Sequence, residues 1–595
     1  MSLYLSLLDW SIIGLFFILS LGIGLAVMKQ AGKDTRSFFL SDRNMPWWLL
    51  GVSMVATTFS SDTPNLVTDI VRQHGVSGNW VWWAFLLTGM LTVFVFAALW
   101  RRSGILTDLE FYEIRYSGRA AAFLRGFRAL YLGVFFNILI MATVSLAAIK
   151  IGSVLLGLTP FQTLAIASII TAVYSSLGGL KSILLTDFFQ FILAMAGTIA
   201  AACIIINRPE IGGLNNLLSS EIVKTKTAFF PDFTQPEVFI PLFLLPLAVQ
   251  WWSVWYPGSE PGGGGYIAQR MLAAKNEGHA VGSTLFFNIA HYALRPWPWI
   301  LIALASLIVY PNLKSLQNSF PHIDPSLIGH DLAYPAMIRL LPSGLLGMIV
   351  ASLIAAYMST ISTHLNWGSS YVVHDFYRRF INPQASEKQL VRLGRWTTVF
   401  LMLVSALLAL ALSNALQAFN ILLQVGAGTG LLFILRWFWW RINPYSEITA
   451  MIVSFLVAVY FELVFPLFFG TKMASHWQML YGVIITTISW LAITFLTAPS
   501  EDGKLKEFYL LIKPSGPGWR KVAEQHGLPV FNHGTLPKGI LMMVLGTCSI
   551  YNALFSLGYT LYGETLLSGI TLVICLSSSV LLAKLLKHKS DDSKA

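Results

Sequence analysis

Charge is what this chain has least of. Asp, Glu, Lys and Arg make up 11% of its 595 residues, against 55% hydrophobic residues. Apolar runs recur from end to end, so this balance excludes a soluble globular protein. Cysteine is nearly absent: Cys203, Cys548 and Cys575 are the full set, and each sits inside an apolar run. They supply neither a disulfide framework nor a metal-ligand spacing, and read as small buried hydrophobes. Long polar stretches are missing as well. The longest, 499–537, is basic and carries Pro514, Pro517, Pro529 and Pro537. A catalytic domain is not expected there. No G-x-x-x-x-G-K-[S/T] phosphate loop occurs, which disfavours a primary ATP-driven pump.

What the chain does have is membrane-spanning length, repeated. Each run of about 20 apolar residues can cross ~30 Å of hydrocarbon. Spans are predicted near 10–28, 46–70, 79–100, 127–153, 159–177, 183–206, 238–256, 280–309, 343–366, 396–413, 418–439, 447–469, 477–498, 539–561 and 564–586. The expected fold is therefore an all-α polytopic membrane protein of about fifteen helices. The run at 10–28 has no basic residue before it and no small-x-small cleavage site after it. It reads as a first helix that stays in the protein, not as a signal peptide.

The net charge of +11 raises nucleic acid as a partner, but its distribution argues against one. With the N-terminus outside, the inner loops hold Lys29 to Arg43, Arg101 to Arg128, Arg378 to Arg395 and Lys504 to Lys538, followed by the tail from Lys584. Roughly 30 of the basic residues then fall inside, as the positive-inside rule requires. The charge reports topology in a lipid bilayer. It predicts a multi-pass protein of the cytoplasmic membrane, N-terminus outside and C-terminus cytoplasmic.

Two spans look broken. The first contains Ala56-Thr57-Thr58-Phe59-Ser60-Ser61-Asp62-Thr63-Pro64-Asn65. Pro64 removes a backbone donor and pushes the residue before it away from helical geometry. The second breaks at Tyr256-Pro257-Gly258-Ser259-Glu260-Pro261-Gly262-Gly263-Gly264-Gly265 and resumes at Tyr266. Each break is followed by four further spans, so spans 2–6 and 7–11 form two five-helix halves. An odd number of helices per half inverts the second. A third feature is a polar seam in the span after 343. Ala356, Ser359, Thr360 and Thr363 share one helical face. Small residues and hydroxyls there suit close packing or the dehydration of a small hard cation.

Three segments carry a resemblance. Tyr174-Ser175-Ser176-Leu177-Gly178-Gly179-Leu180-Lys181, continuing to Thr186-Asp187-Phe188-Phe189-Gln190, lies at the junction of spans 5 and 6. Ala356-Tyr357-Met358-Ser359-Thr360 is the seam, and Gln269-Arg270-Met271-Leu272-Ala273-Ala274-Lys275 follows the second break. Together they resemble the sodium:solute symporter family over residues 5 to 470. The resemblance implies a LeuT-type inverted repeat, with one extra N-terminal helix before it and about four C-terminal helices after it. The corresponding regions are 1–45, 46–206 for the first repeat, 207–237 as an outer loop, 238–440 for the second repeat, and 441–595 for the peripheral helices with the loop 499–537. It further implies sodium-coupled uptake of a small polar solute by alternating access, with no catalytic step.

The same resemblance implies the sites. The sodium ion would be held by the carbonyls of Ala56, Phe59 and Ala356 and the hydroxyls of Ser359 and Thr360. Sodium prefers oxygen ligands, and neutral ones hold it weakly enough to release it. Asp187 would lie on the ion's inward exit route; its alternative is a structural ion pair, for example with Lys181. Thr63, His291 and Gln424 fall where relatives contact sugar, and Tyr266 where they place an inner gate. The glycine run departs from the pattern. Its amides could cradle an anion, or Glu260 could bind a hydroxyl, an amine or a cation of the solute. Two other functions compete. A transporter-like sensor would need an output domain from a partner protein, and no obligatory partner is evident. A membrane enzyme using His291, His364 or His374 lacks any paired nucleophile or metal cluster.

Overall fold

All the predicted apolar runs fold as helix in the computed structural model, which describes residues 5–31, 34–58, 60–412, 415–531 and 535–592. In chain order they are α1 (Leu7–Ala31), α2 (Trp47–Thr58), α3 (Asp62–His74), α4 (Val76–Ser103), α5 (Gly118–Leu156) and α6 (Pro160–Ile206). Then come α7 (236–253), α8 (Gly265–Ala273), α9 (Glu277–Val309), α10 (Leu345–Ile381), α11 (Glu387–Ala409), α12 (Ala415–Val425) and α13 (Gly430–Phe438). The series ends with α14 (Pro444–Phe469), α15 (Ser475–Leu496), α16 (Thr535–Leu561) and α17 (Thr565–Asp592). Among the described residues no strand forms, only an isolated antiparallel bridge between Val254 and Ala427. Ten helical stretches of the described residues are long and apolar enough to cross a membrane, and Leu7–Ile23, Trp47–Thr58 and Pro160–Ala172 are shorter apolar helices. This is an all-helical, multi-pass membrane protein.

Local chemistry sets several boundaries. At the start of α6 the Thr159 hydroxyl accepts from the Gln162 amide and the Gln162 side chain accepts from the Thr159 amide, with Pro160 at the first helical position. This capping box satisfies donors that a helix start leaves orphaned. Further along, α6 kinks at Gly179, whose φ of 57° belongs to the left-handed region. A Cβ there would lie 2.7 Å from the Phe38 carbonyl oxygen. Backbone shape and close approach both demand glycine, which explains this part of the 174–190 segment.

The breaks differ in detail from expectation. Pro64 was expected to cause the first one. Instead α2 stops at Thr58, and Pro64 sits in the first turn of α3, where its missing N–H costs nothing. The span predicted at 418–439 is also broken, between Val425 and Gly430, by Gly426-Ala427-Gly428-Thr429. There the Trp255 amide donates to the Gly426 carbonyl at 3.0 Å and the Gly428 amide to the Ser253 carbonyl at 2.9 Å. The unwound end of α7 thus pairs with the unwound link between α12 and α13. Residues 499–531 are not a loose loop either, since they contain the helices Asp502–Ile512 and Arg520–Gln525.

The chain divides into two compact units. The first comprises Met1–Trp80, Ala129–Phe243 and Leu294–Ala418; the second comprises Val81–Arg128, Leu244–Ala293 and Phe419–Ala595. In the first unit α6 and α10 pack together, with α1, α2 and α11 around them. The peripheral α1 is tied in by Asp9, which accepts from the Gly344 and Gly347 amides at 2.7 and 2.8 Å, at the start of α10. This unit also holds a buried ion pair, Lys150 Nζ to Asp331 Oδ2 at 2.6 Å. In the second unit Arg115 donates to the carbonyls of Arg436, Trp439, Trp440 and Ile442, and its guanidinium lies over the Trp519 ring.

Candidate functional site

The last four carbonyls of α2 have no helical partner of their own. Val55 O accepts from Arg295 Nη1 at 3.3 Å, Thr57 O from Thr360 Oγ1 at 2.7 Å, and Thr58 O from Thr63 Oγ1 at 3.2 Å. The fourth is Ala56, which the resemblance assigns to the ion. It is buried, as are Ala356, Ser359 and Thr360 on α10. The remaining predicted ligand, Phe59, lies outside the described residues. The seam and the broken helix therefore meet directly. Thr57 Oγ1 and Thr363 Oγ1 are 3.1 Å apart, one turn further along the same face.

Asp187 joins this contact from α6. It is fully buried, and it accepts from Ser53 Oγ at 2.5 Å and from Ser359 Oγ at 2.6 Å. Its position two turns past the Gly179 kink turns it toward the seam. The hydroxyls of Ser359 and Thr360 thus donate to Asp187 and to Thr57 O. A hydroxyl has one hydrogen and two lone pairs. Donating outward fixes the hydrogen and leaves the lone pairs for a cation. The arrangement combines neutral hydroxyl oxygens with a carboxylate one hydrogen bond away.

Some of these residues were missed from sequence. Ser53 is one turn before Thr57 on α2, so helical spacing alone could have found it. Arg295 is a lone cation in an apolar span and was visible as such. It is buried, reaches Val55 O and Thr58 Oγ1, and lies over the Trp299 ring. His364, considered earlier for catalysis, exchanges two bonds with Asn137: His364 Nδ1 to Asn137 Oδ1 at 2.6 Å and Asn137 Nδ2 to His364 O at 2.8 Å. That is a satisfied structural histidine.

The expected solute residues fall in different places. Thr63 belongs to the first unit, where its hydroxyl bridges the break to Thr58 O. In the second unit His291 is half-buried among Trp82, Phe287 and Tyr292, with ring centroids 4.5 to 5.6 Å away. Gln424 is in the last turn of α12 and 7% exposed. Tyr266 is buried at the start of α8 with the Arg270 guanidinium over its ring. The glycine run is not an open anion cradle. The Gly263 amide donates to Glu260 O, the Gly265 amide to Asp108 Oδ2, and the Gly262 carbonyl accepts from Trp100 Nε1. Glu260 itself is 4% exposed and neither carboxylate oxygen has a hydrogen-bond partner.

A profile of the sodium:solute symporter family matches residues 38–454, which include the broken helix, Asp187 and the seam. The chain belongs to this family. Its members with similar sequences include a sodium/glucose cotransporter of Vibrio parahaemolyticus, 24% identical over 515 residues, covering 84% of this chain and 92% of that one. A sodium/mannose cotransporter of Bos taurus is 26% identical over 485 residues, covering 76% and 78%. A solved structure of a Na+-coupled sialic acid symporter shares the fold, with a TM-score of 0.67 at 20% identity, covering 83% of this chain and 99% of that one. The protein is thus a sodium-coupled symporter, and sodium is its co-transported ion. The membership agrees with the geometry: the seam, the end of α2 and Asp187 are in one unit and in hydrogen-bond contact.

Proposed function

We propose that this symporter imports a small polar organic solute, sugar or sugar-like, together with sodium, by alternating access of two inverted five-helix repeats. Sodium binds the carbonyls of Ala56, Phe59 and Ala356 and the hydroxyls of Ser359 and Thr360, and leaves inward past Asp187. Thr63, His291 and Gln424 contact the solute, and Tyr266 gates the inner side. The protein works in the cytoplasmic membrane with its C-terminus inside.

The observation that carries this reading is the bond from Thr360 Oγ1 to Thr57 O at 2.7 Å. It brings the seam's hydroxyl face against the carbonyl end of α2, and carbonyl oxygens next to neutral hydroxyls are what a transported hard cation needs. The glucose and mannose cotransporters among the relatives support a sugar-like solute. The energetics are adequate. At ~100 mV one entering sodium ion supplies about 2.3 kcal/mol, enough for roughly a fortyfold gradient of a neutral solute.

The test is uptake of labelled sugars into proteoliposomes under an imposed sodium gradient, after a thermal-shift screen of the purified protein against solutes with and without sodium. The expected result is uptake that requires sodium and collapses when the gradient is dissipated. Uptake equally fast with potassium in place of sodium would remove the proposal.

A further inference from the structure

The glycine-rich break between α7 and α8 holds a group that sodium coupling does not use. Glu260 is buried to 4% exposure, both carboxylate oxygens are shielded from solvent, and neither has a hydrogen-bond partner. The amides of Gly258 and of Glu260 itself are the nearest donors to it. An ionised carboxylate without a partner in that position is strongly disfavoured. Its electrostatic neighbours are Asp108 and Arg128. Asp108 repels a second negative charge, and its Oδ2 is bound to the Gly265 amide at 2.9 Å. Arg128 is turned to other partners, with its guanidinium over the Phe433 ring at 4.8 Å and Nη1 on Met451 Sδ at 3.2 Å.

Nε of Arg128 and of Arg436 are buried without a hydrogen-bond partner, while Arg270 on α8 donates to Gln269 Oε1 and lies over the Tyr266 ring. Arg101 donates to the Ala274 and Lys275 carbonyls, Arg102 pairs with Glu277, and Arg436 pairs with Glu447. The walls of the break are tight and mixed: Cβ atoms placed on Gly262 and Gly263 would meet Phe96, Met271 and Thr92, the Phe433 carbonyl oxygen and Trp100 Nε1. With both oxygens buried and without a hydrogen-bond partner, a bound proton is what removes the charge of this carboxylate. The backbone around it can move. Gly258, Gly262, Gly263 and Gly265 all have positive φ, between 55° and 83°, so the break is built from residues that change conformation at little cost.

We propose that Glu260 is a proton-binding site, neutral in the conformation described here, that gives up its proton to water when the break opens and takes one back when it closes. The step is the ionisation of one carboxylic acid, with one proton exchanged with solvent and no other bond changed. It takes Glu260 out of the solute contacts and adds a proton-linked step to the sodium-driven cycle; only that linkage rests on the proposed function.

Infrared spectroscopy of the purified protein tests the site without any solute. At neutral pH the wild-type protein should show the carbonyl stretch of a protonated carboxylic acid in apolar surroundings. Glu260→Gln should lack it, while Asp108→Asn should keep it. A spectrum in which Glu260→Gln removes only carboxylate bands overturns the proposal. The linkage is read separately. In sodium-driven uptake, Glu260→Gln should flatten the pH dependence and leave the sodium concentration for half-activation unchanged. A pH profile identical to wild type would sever the proton from the cycle. If Glu260→Gln fails to fold, Glu260→Asp keeps the acid, and a shifted infrared band in that variant reads the same property.

Discussion

A single hydroxyl decides little, but two that donate outward support the proposed cation site. Ser359 donates to Asp187 and Thr360 to Thr57 O, so their lone pairs stay available. Replacing both by Ala removes two ligands while leaving α10 helical, since Ala favours helix. Sodium activation of uptake should then need at least about tenfold more sodium, equivalent to ~1.4 kcal/mol of lost binding. Unchanged half-activation in the double variant, with normal membrane insertion, would refute the site. These residue types were legible because hydroxyls at helical spacing are conspicuous in an apolar run. Asp187 was legible as a buried carboxylate, but its partners were not. No spacing rule links residue 53, residue 187 and residue 359 without the fold.

His330 belongs to the same scale. It lies in a short turn outside the membrane-spanning helices, and Arg72 Nε donates to its Nδ1 at 3.2 Å. That bond requires a neutral imidazole. Burial, with Arg72, Lys226 and His74 nearby, pushes its pKa from the ordinary 6.5 down to about 4. The folded state therefore binds fewer protons than the unfolded one between these values. The stability it contributes is complete above about pH 6.5 and is lost as the pH falls toward about 4. His330→Gln can still accept from Arg72 and cannot titrate. Thermal unfolding of that variant should show a shallower loss of stability across this window than wild type. Parallel slopes would mean that His330 is not a source of the acid sensitivity.

Among elements, α1 shows how far sequence reading went. It was recognised as a helix outside the repeats and given no role. Its Asp9 was not singled out, because an acidic residue in a first turn commonly serves its own helix. Here Oδ2 does so, accepting from the Ser6 amide and hydroxyl, while Oδ1 caps α10, accepting from the Gly344 and Gly347 amides. Gly347 is tight against α1, since a Cβ there would lie 2.5 Å from Asp9 Cα. Because α10 carries the seam, the cap anchors the helix that holds Ser359 and Thr360. Asp9→Ala should lower stability by about 1–2 kcal/mol, the usual cost of losing a helix cap. Asp9→Asn, which keeps an acceptor, should lose less. The comparison is made by thermal unfolding in detergent, and equal melting of all three proteins would show that the cap carries no weight.

The breaks teach a related lesson. Glycine and proline showed where helices might stop, and the second break was placed correctly at 256–265. The link at 426–429 was read through as helix because its flanks are strongly apolar. What stops the helix there is pairing with Ser253 and Trp255, a tertiary contact more than 170 residues away in sequence. Prolines likewise predict a loop for the basic segment 499–537. Its helices form because Trp519 stacks on Phe508 and its ring lies under the Arg115 guanidinium.

At the scale of the whole molecule, charge counting and packing make independent statements about sidedness. Counting assigned 101–128, the end of the span near 439 and 499–537 to one side. In the second unit Arg115 binds Trp439, Trp440 and Ile442 and lies under Trp519, so these three segments do share a side. Counting assigned the turn near 75 and the loop 207–237 to the other. In the first unit Lys226 Nζ donates to Gln73 O at 2.7 Å and the Val76 amide to Lys226 O at 2.8 Å, so these share a side as well. Packing says which segments go together; only the excess of Lys and Arg says which group faces the cytoplasm. Exposed Ser326 and Lys521 are suitable reporters. In intact cells a membrane-impermeant thiol reagent should label Ser326→Cys, and Lys521→Cys should react only after permeabilisation. The three native cysteines lie within helices α6, α16 and α17 and provide the background. The opposite labelling pattern would reverse the orientation, and with it the direction of the proposed exit route past Asp187, while leaving the proposed site itself unchanged.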